Sequence, residues 1–441
     1  MTFNILDLIN KKQQNQALTY DEIHWLYHRF AQGEIPDYQM AAFLMAVYFN
    51  KYNDDEMYYA TKIMVESGKT IDLRVPNEIV VDKHSSGGVG DKVSLIMTPM
   101  LVALGYYVGK MSGRGLAHTG GTVDKLESIG MNVDFDLATY QDQYKANKFI
   151  LTGQSNDVAV IDKYIYALRD ATSTVHILEL AAASIMSKKF ALLTDYIFLD
   201  IKTGDGSITN SFEEAKVLAK KCLYLAKRFN RETIVHITNM NRVLGRSVGN
   251  AIEVREAMRY LQGDFASKDL YELINTFLID ILVETKKAQS VASAQAMIDE
   301  VIANKKAFHI FVDWVKWMHG DHAAVLNETL FKPKYEVIVQ ATANGYIGFQ
   351  STREIGLVAV DLKAGRKEKN EQLDWQAGIY LDKKDNEYVK AGDVIAHLYA
   401  DAPIDEAIVQ RFVANVVYLA KPSKEEPAIL DILRVEDVCS N

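Results

Sequence analysis

Hydrophobic and polar positions change their spacing along the chain, and each change marks a new element. Up to about residue 70 the apolar positions repeat at helical intervals. Thr19 and Glu22 have capping-box spacing before the amphipathic run Ile23 to Phe30, and Gly33 and Pro36 punctuate. Asp37 opens the apolar run Met40 to Phe49, and Asn53 with Glu56 starts a fourth helix ending near Gly68. Four short helices predict a helical lobe. Near residue 79 the grammar turns to strand, glycine-rich loop and helix, used twice: Ile79 to Val81, then Tyr106 to Val108, each followed by a loop. Asp162 to Lys189 reads as helix again. Ile197–Ile201 and Thr233–Ile237 read as buried parallel strands, and 212–229 and 250–320 as helix. After about 335 four β-rich runs follow, at 335–339, 345–348, 356–360 and 388–397.

The expected fold is α/β, with a discontinuous all-helical lobe (1–65 and 162–193), an α/β lobe (79–155 and 194–330) and a C-terminal α+β domain (335–441). The 441 residues suit about three such units at ~150 residues each. Hydrophobic residues at 49% and charged residues at 24% exclude wholesale disorder. Lys plus Arg is 49 against 58 Asp plus Glu, a net charge of −9, which argues against a nucleic-acid partner. Only Cys222 and Cys439 occur, which excludes a disulfide scaffold or cysteine zinc site and suits a reducing compartment. Cys439 does not form a prenylation box. The first ten residues lack a basic start and a long apolar run, and Val93 to Gly109 is interrupted by Ser94, Thr98, Pro99 and Gly105. No signal peptide or membrane span is expected, and the location is read as cytoplasmic.

Ten of the 25 glycines fall between Lys83 and Gly130. Each glycine-rich loop carries a lysine and small hydroxyls, Lys83, Ser85 and Ser94 in the first and Lys110, Ser112 and Thr122 in the second. Both loops lead into helices, whose N-terminal N–H groups favour anions. Two lysines and four hydroxyls suit a tetrahedral oxyanion such as phosphate. The sequence around them is neither a Walker loop nor a dinucleotide-binding fingerprint, and no metal-ligand spacing of histidines occurs. Ser184 and Lys188 stand four apart, so one helix face can present both. His118, inside the second loop, is read as structural.

Lys83-His-Ser-Ser-Gly-Gly-Val-Gly-Asp91 and Ser112-Gly-Arg-Gly-Leu-Ala-His-Thr-Gly-Gly-Thr-Val-Asp-Lys-Leu-Glu127 closely resemble signatures of the thymidine/pyrimidine-nucleoside phosphorylase family. So do Glu34–Ala42, Tyr166-Ala-Leu-Arg-Asp170, Ser184-Ile-Met-Ser-Lys-Lys189, Lys202-Thr-Gly204 and Val389-Lys-Ala-Gly-Asp393, in collinear order over nearly the whole chain. The resemblance implies the nucleoside phosphorylase/phosphoribosyltransferase type of fold, a homodimer, and reversible phosphorolysis of a pyrimidine nucleoside to free base and α-pentose 1-phosphate. Inorganic phosphate is then co-substrate, and no further cofactor is required. It assigns phosphate to Lys83, Ser85, Ser94, Lys110, Ser112 and Thr122, and the base to Arg169, Ser184 and Lys188. It places His84 at the pyrimidine O2, where a histidine would be poised to donate a proton near neutral pH. With Arg169 and Lys188 it forms the expected catalytic set, because a departing base needs donors as negative charge grows on it.

Departures from the family pattern bear on substrate preference. Ala117 replaces a glycine, Ile208 stands where Phe is usual, Asp205 is unusual, and Glu179 and Ala181 replace an apolar, proline-containing stretch beside the base. Lys110 resembles the branch that accepts uridine as well as thymidine. The family's monovalent-cation site maps to Gly90, Leu244, Ser247 and Glu256, but its usual threonine is Lys92 here. An ammonium there would take the place of the cation. The alternatives are a strictly thymidine-specific phosphorylase, an anthranilate phosphoribosyltransferase, which shares the fold and a similar pair of loops, and a carrier or scaffold protein suggested by the β-rich C-terminal domain. The base-clamp motifs oppose the second, and the missing Met-Lys-Met attachment signal opposes the third.

Overall fold

A computed structural model describes residues 3–115, 118–133, 137–153, 157–368 and 371–438. The four N-terminal helices are Ile5–Gln13, Tyr20–Ala31, Asp37–Asn50 and Asp54–Glu66. Both expected capping boxes form, Thr19 with Glu22 and Asn53 with Glu56, satisfying backbone N–H groups that a bare helix end would leave unpaired. The stretch 162–189 divides into two helices, Val160–Ala171 and Leu178–Ala191. These pack with the N-terminal four, and Ile23, Leu26, Phe43, Ile165 and Met186 share one buried cluster.

The central sheet has six strands in the order Ile429–Arg434, Glu232–Asn239, Tyr196–Thr203, Val80–Ser85, Tyr107–Met111 and Phe149–Thr152. All neighbours are parallel except the first pair. Behind one face lies the helix Val93–Ala103, with every residue buried, as its continuous apolar run requires. Burying each of its large side chains contributes roughly 1.5–3 kcal/mol.

Three segments join the helical lobe to the sheet, and they touch one another. Ile71–Asp72 pairs in parallel with Leu192–Leu193, and the Lys69 N–H donates to Asp157 O at 2.6 Å. The sequence reading puts the crossings between the lobes at 66–79, 154–162 and 190–194, of which 154–156 lie outside the described residues.

Two differences from the sequence reading concern the C-terminal domain. The run 356–360 is not a strand but part of the helix Thr352–Asp361. Its β-branched residues suggested a strand, yet the Ser351 hydroxyl caps Glu354 N, and Ile355, Val358 and Ala359 fall on one buried helical face. The domain is also not closed on itself. Ile429–Arg434 leaves it to extend the central sheet, while Ser247–Gly249 enters its four-stranded sheet beside Gly378–Leu381. Among the described residues no helix is long and apolar enough to cross a membrane.

Candidate active site

A cavity of about 270 Å³ opens where the C-terminal ends of the central strands face the helices Val160–Ala171 and Leu178–Ala191. Strands alternate their side chains, so His84 and Asp82 share one face of Val80–Ser85 and Lys83 takes the other. His84 therefore lines the cavity together with Ser85, Gly87, Lys110, Ser112 and Thr122 on the loop side, and Arg169, Ser184 and Lys188 on the helix side.

Two residues assigned to phosphate do not line it. Lys83 is buried beneath the loop, where its ammonium pairs with Asp200 at 2.9 Å and lies over the Phe277 ring. Ser94 is buried in the first turn of Val93–Ala103. The motif put both on the phosphate, but the burial of Lys83 on Asp200 and of Ser94 in the helix start keeps them off the cavity wall. Lys83 and Lys202 share Asp200, which also accepts from Thr238 Oγ1 at 2.6 Å. Burial opposes its ionisation, but the two lysines outweigh that and hold its carboxyl well below the usual carboxylate range.

On the loop wall Ser112 Oγ is buried with no partner among the described residues. Ser85 Oγ donates to Asp91, which also receives the Val93 N–H. Lys110 is 2% exposed. Burial first, and then the positive Lys189 nearby, push its pKa down to about 7. Burial and the charges of Lys189, Lys110, Lys83 and Lys188 push His84 well below its ordinary value. Burial first, and then these four lysines, disfavour the imidazolium, which runs against the expectation of a histidine poised near neutrality. Glycine is required at two places here. A Cβ on Gly90, whose φ is +78°, would lie 2.5 Å from Leu244 O, and one on Gly121 would lie 2.1 Å from Gly115 N.

On the helix wall Arg169 is 1% exposed. Its Nη2 donates to Val175 O at 2.6 Å, while Nη1 has no partner among the described residues. Lys188 pairs with Asp162, and Ser184 Oγ donates to the same carboxylate oxygen at 2.9 Å. Lys189, also lining the cavity, pairs with Asp82 at 2.9 Å. A third wall is formed by Ile208, Thr209, Glu214 and Leu218. Asp162, Lys189, Asp91 and Glu214 were not singled out from the sequence. Asp162 could have been, because it precedes Arg169 by seven residues and so shares its helix face.

His118 is buried, does not line the cavity, and packs its carbonyl against Gly356. Asp205 accepts the Ser351 hydroxyl and the Arg353 N–H, both at 2.8 Å, so it holds the 204–209 loop to the C-terminal domain. Glu179 pairs with Lys221 at 2.8 Å, outside the cavity. Ala117 and Cys439 lie outside the described residues. At the family cation positions, Lys92 Nζ lies 2.8 Å from Leu244 O, 3.0 Å from Ser247 O and 2.8 Å from Glu256 Oε2. The Gly90 carbonyl accepts the Lys92 backbone N–H. These residues do not fit a metal cation, because the lysine ammonium already holds the oxygens. Among the described residues no cluster of three or more His, Cys, Asp or Glu side chains could hold a metal.

Comparison with known proteins places this geometry. Residues 77–308 match the model of the glycosyl transferase family a/b domain, 6–68 its helical bundle domain, and 346–419 the pyrimidine nucleoside phosphorylase C-terminal domain. The chain is 42% identical to a thymidine phosphorylase of Mycoplasmoides pirum, over 92% of this chain and 98% of that protein. The chain belongs to the thymidine/pyrimidine-nucleoside phosphorylase family. As a member of that family it is an enzyme of the pentosyl-transferring class. A pyrimidine-nucleoside phosphorylase of Staphylococcus aureus (strain bovine RF122 / ET3-1) is 38% identical over 93% of this chain and 95% of that protein. The anthranilate phosphoribosyltransferase of Thermus thermophilus matches at a TM-score of 0.56 and 16% identity, covering 71% of this chain and all of that one. That likeness extends to the fold alone.

Proposed function

We propose that this phosphorylase-family enzyme catalyses reversible phosphorolysis of pyrimidine nucleosides, taking uridine and deoxyuridine as well as thymidine. The observation that carries the reading is a single cavity with an anion-suited loop wall facing a base-suited helix wall. Lys110, Ser112, Thr122 and backbone N–H groups hold phosphate. One of its oxygens attacks C1′ as the C1′–N1 bond breaks, and the base leaves with the bonding electrons. Lys188, Arg169 and His84 supply N–H groups as that negative charge grows, each donor contributing on the order of 2–4 kcal/mol in the transition state. No protein nucleophile is needed. Phosphate on one wall and base on the other also call for closure about the crossing segments.

The broad range rests on Lys110, a long cation on the sugar–phosphate side that tolerates a 2′-hydroxyl, and on Ile208, which leaves more room than phenylalanine. Phosphorolysis rates for thymidine, uridine, deoxyuridine and cytidine, measured side by side, test it. Uridine turnover slower than thymidine by about 10⁴-fold would favour the thymidine-specific alternative instead.

The built-in Lys92 ammonium makes an added monovalent cation unnecessary for activity. Lys92→Thr should create a potassium requirement. Loss of wild-type activity when potassium is exchanged for a bulky organic cation at constant ionic strength would refute this. A homodimer is supported by exposed apolar side chains on two neighbouring helices, Leu6 on Ile5–Gln13 with Tyr38, Met45 and Phe49 on Asp37–Asn50. Sedimentation would show a monomer if that reading fails.

A further inference from the structure

Asp162 is almost fully buried beside the helix wall and touches two of the three residues assigned to the base. We propose that it is a positioning residue that fixes the hydrogen-bond polarity of that wall, so that the wall reads the 2,4-dioxo edge of a pyrimidine. This rests on the reading that the base lies against Arg169, Ser184 and Lys188.

Hydrogen-bond chemistry leaves little freedom here. Asp162, paired with the Lys188 ammonium, is a carboxylate and can only accept. The Ser184 hydroxyl, 2.9 Å from Asp162 Oδ2, must therefore spend its one proton there. Lys188 can only donate; besides Asp162, its Nζ lies 3.0 Å from Ser184 O and 3.1 Å from Ser184 Oγ, and a base carbonyl would draw the hydrogen now given to Ser184 O. Ser184 is left with a lone pair and no hydrogen to offer a ligand. Arg169 offers only N–H groups, and its Nη1 is unspent. The wall thus presents donor, acceptor, donor, from Arg169, Ser184 and Lys188. Uracil and thymine present the complement along one edge: carbonyl, N3–H, carbonyl. A 4-aminopyrimidine presents an amino group and a bare N3, so two positions would set donor against donor and lone pair against lone pair. Burying polar groups so mismatched is the strong form of discrimination, unlike the loss of a methyl contact.

Asp162→Asn tests the assignment. The amide can donate to Ser184 Oγ and free the hydroxyl proton to meet a bare N3. For this variant kcat/KM with uridine should fall by about 100-fold, while kcat/KM with cytidine changes by less than about fivefold, so that the preference narrows by at least about tenfold. Phosphate affinity without nucleoside should stay within about twofold, since Asp162 does not touch the loop wall. An equal fall with both nucleosides would make Asp162 merely structural and overturn the inference, as would no change with either. If the variant does not fold, Ser184→Ala decides. Loss of the serine lone pair should lower uridine use and spare cytidine, and an equal loss of both would overturn the inference. Wild-type enzyme inactive on every nucleoside would instead defeat the underlying reading of the site.

Discussion

On the loop side of the cleft, the lining residues are glycines, small hydroxyls and Lys110, held in place by turns that only glycine permits. On the helix side they are long side chains whose directions are fixed by buried carboxylates, Lys188 by Asp162 and Lys189 by Asp82. The difference follows from what the proposed function has each wall recognise. A tetrahedral anion accepts hydrogen bonds from almost any direction, so a concave backbone serves it. A planar base has a directional edge, and only oriented side chains can read it. The loop wall therefore carries its information in short sequence motifs, whereas the helix wall carries it in contacts between residues 22 to 107 positions apart.

The widest separation of the walls comes from Lys188→Met. Its kcat/KM for nucleoside should drop by about 10³-fold, with phosphate affinity measured alone unchanged. An equal loss of phosphate affinity would mean that the walls are not separate.

Lys110→Met should act in the opposite sense, raising the KM for phosphate by about 100-fold. It should also raise Tm, because it removes a buried charge. The folded pKa of about 7 lies below the unfolded lysine value. The cost of that charge is complete below pH 7 and fades as pH rises towards 10. The Tm gain of the variant should therefore be largest at pH 6 and small at pH 10. A gain that grows with pH would contradict the assignment.

His84→Ala should lower kcat by roughly tenfold to 100-fold while leaving the KM for phosphate nearly unchanged. Because burial and the neighbouring lysines push the imidazole pKa down, the wild-type kcat should show no inflection attributable to His84 between pH 6 and 8. An inflection near 6.5 lost in His84→Ala would restore the charged-acid role.

How much of this is legible in the sequence follows from the same contrast. The helical lobe is readable because its caps and apolar periods are local, and the glycine-rich loops because their constraints are local too. The motifs name His84, Lys110, Ser112, Thr122, Arg169, Ser184 and Lys188 as site residues, and all of them line the cavity. Lys83 and Ser94 lie off the cavity wall because a motif gives proximity but not the direction of each side chain. Asp82 stays hidden because its partner, Lys189, arrives from another element, the helix Leu178–Ala191. The helix at 356–360 is misread when residue type is weighed above the Ser351 cap, and the return of Ile429–Arg434 to the central sheet has no local signal at all.

Asp205→Ala should have the smallest effect. It frees the 204–209 loop from the C-terminal domain and should reduce kcat/KM by only a few-fold, about equally for uridine and thymidine. A selective change would show that this third wall reads the substrate.

The division of labour between the walls is tested most directly by a crystal structure of the enzyme with uracil and phosphate bound together. Phosphate oxygens within hydrogen-bond distance of Lys110, Ser112 and Thr122, with the uracil imide edge on Arg169, Ser184 and Lys188, is the expected arrangement. Phosphate on Lys188 or Arg169, or a base seated on the glycine-rich loops, would contradict it.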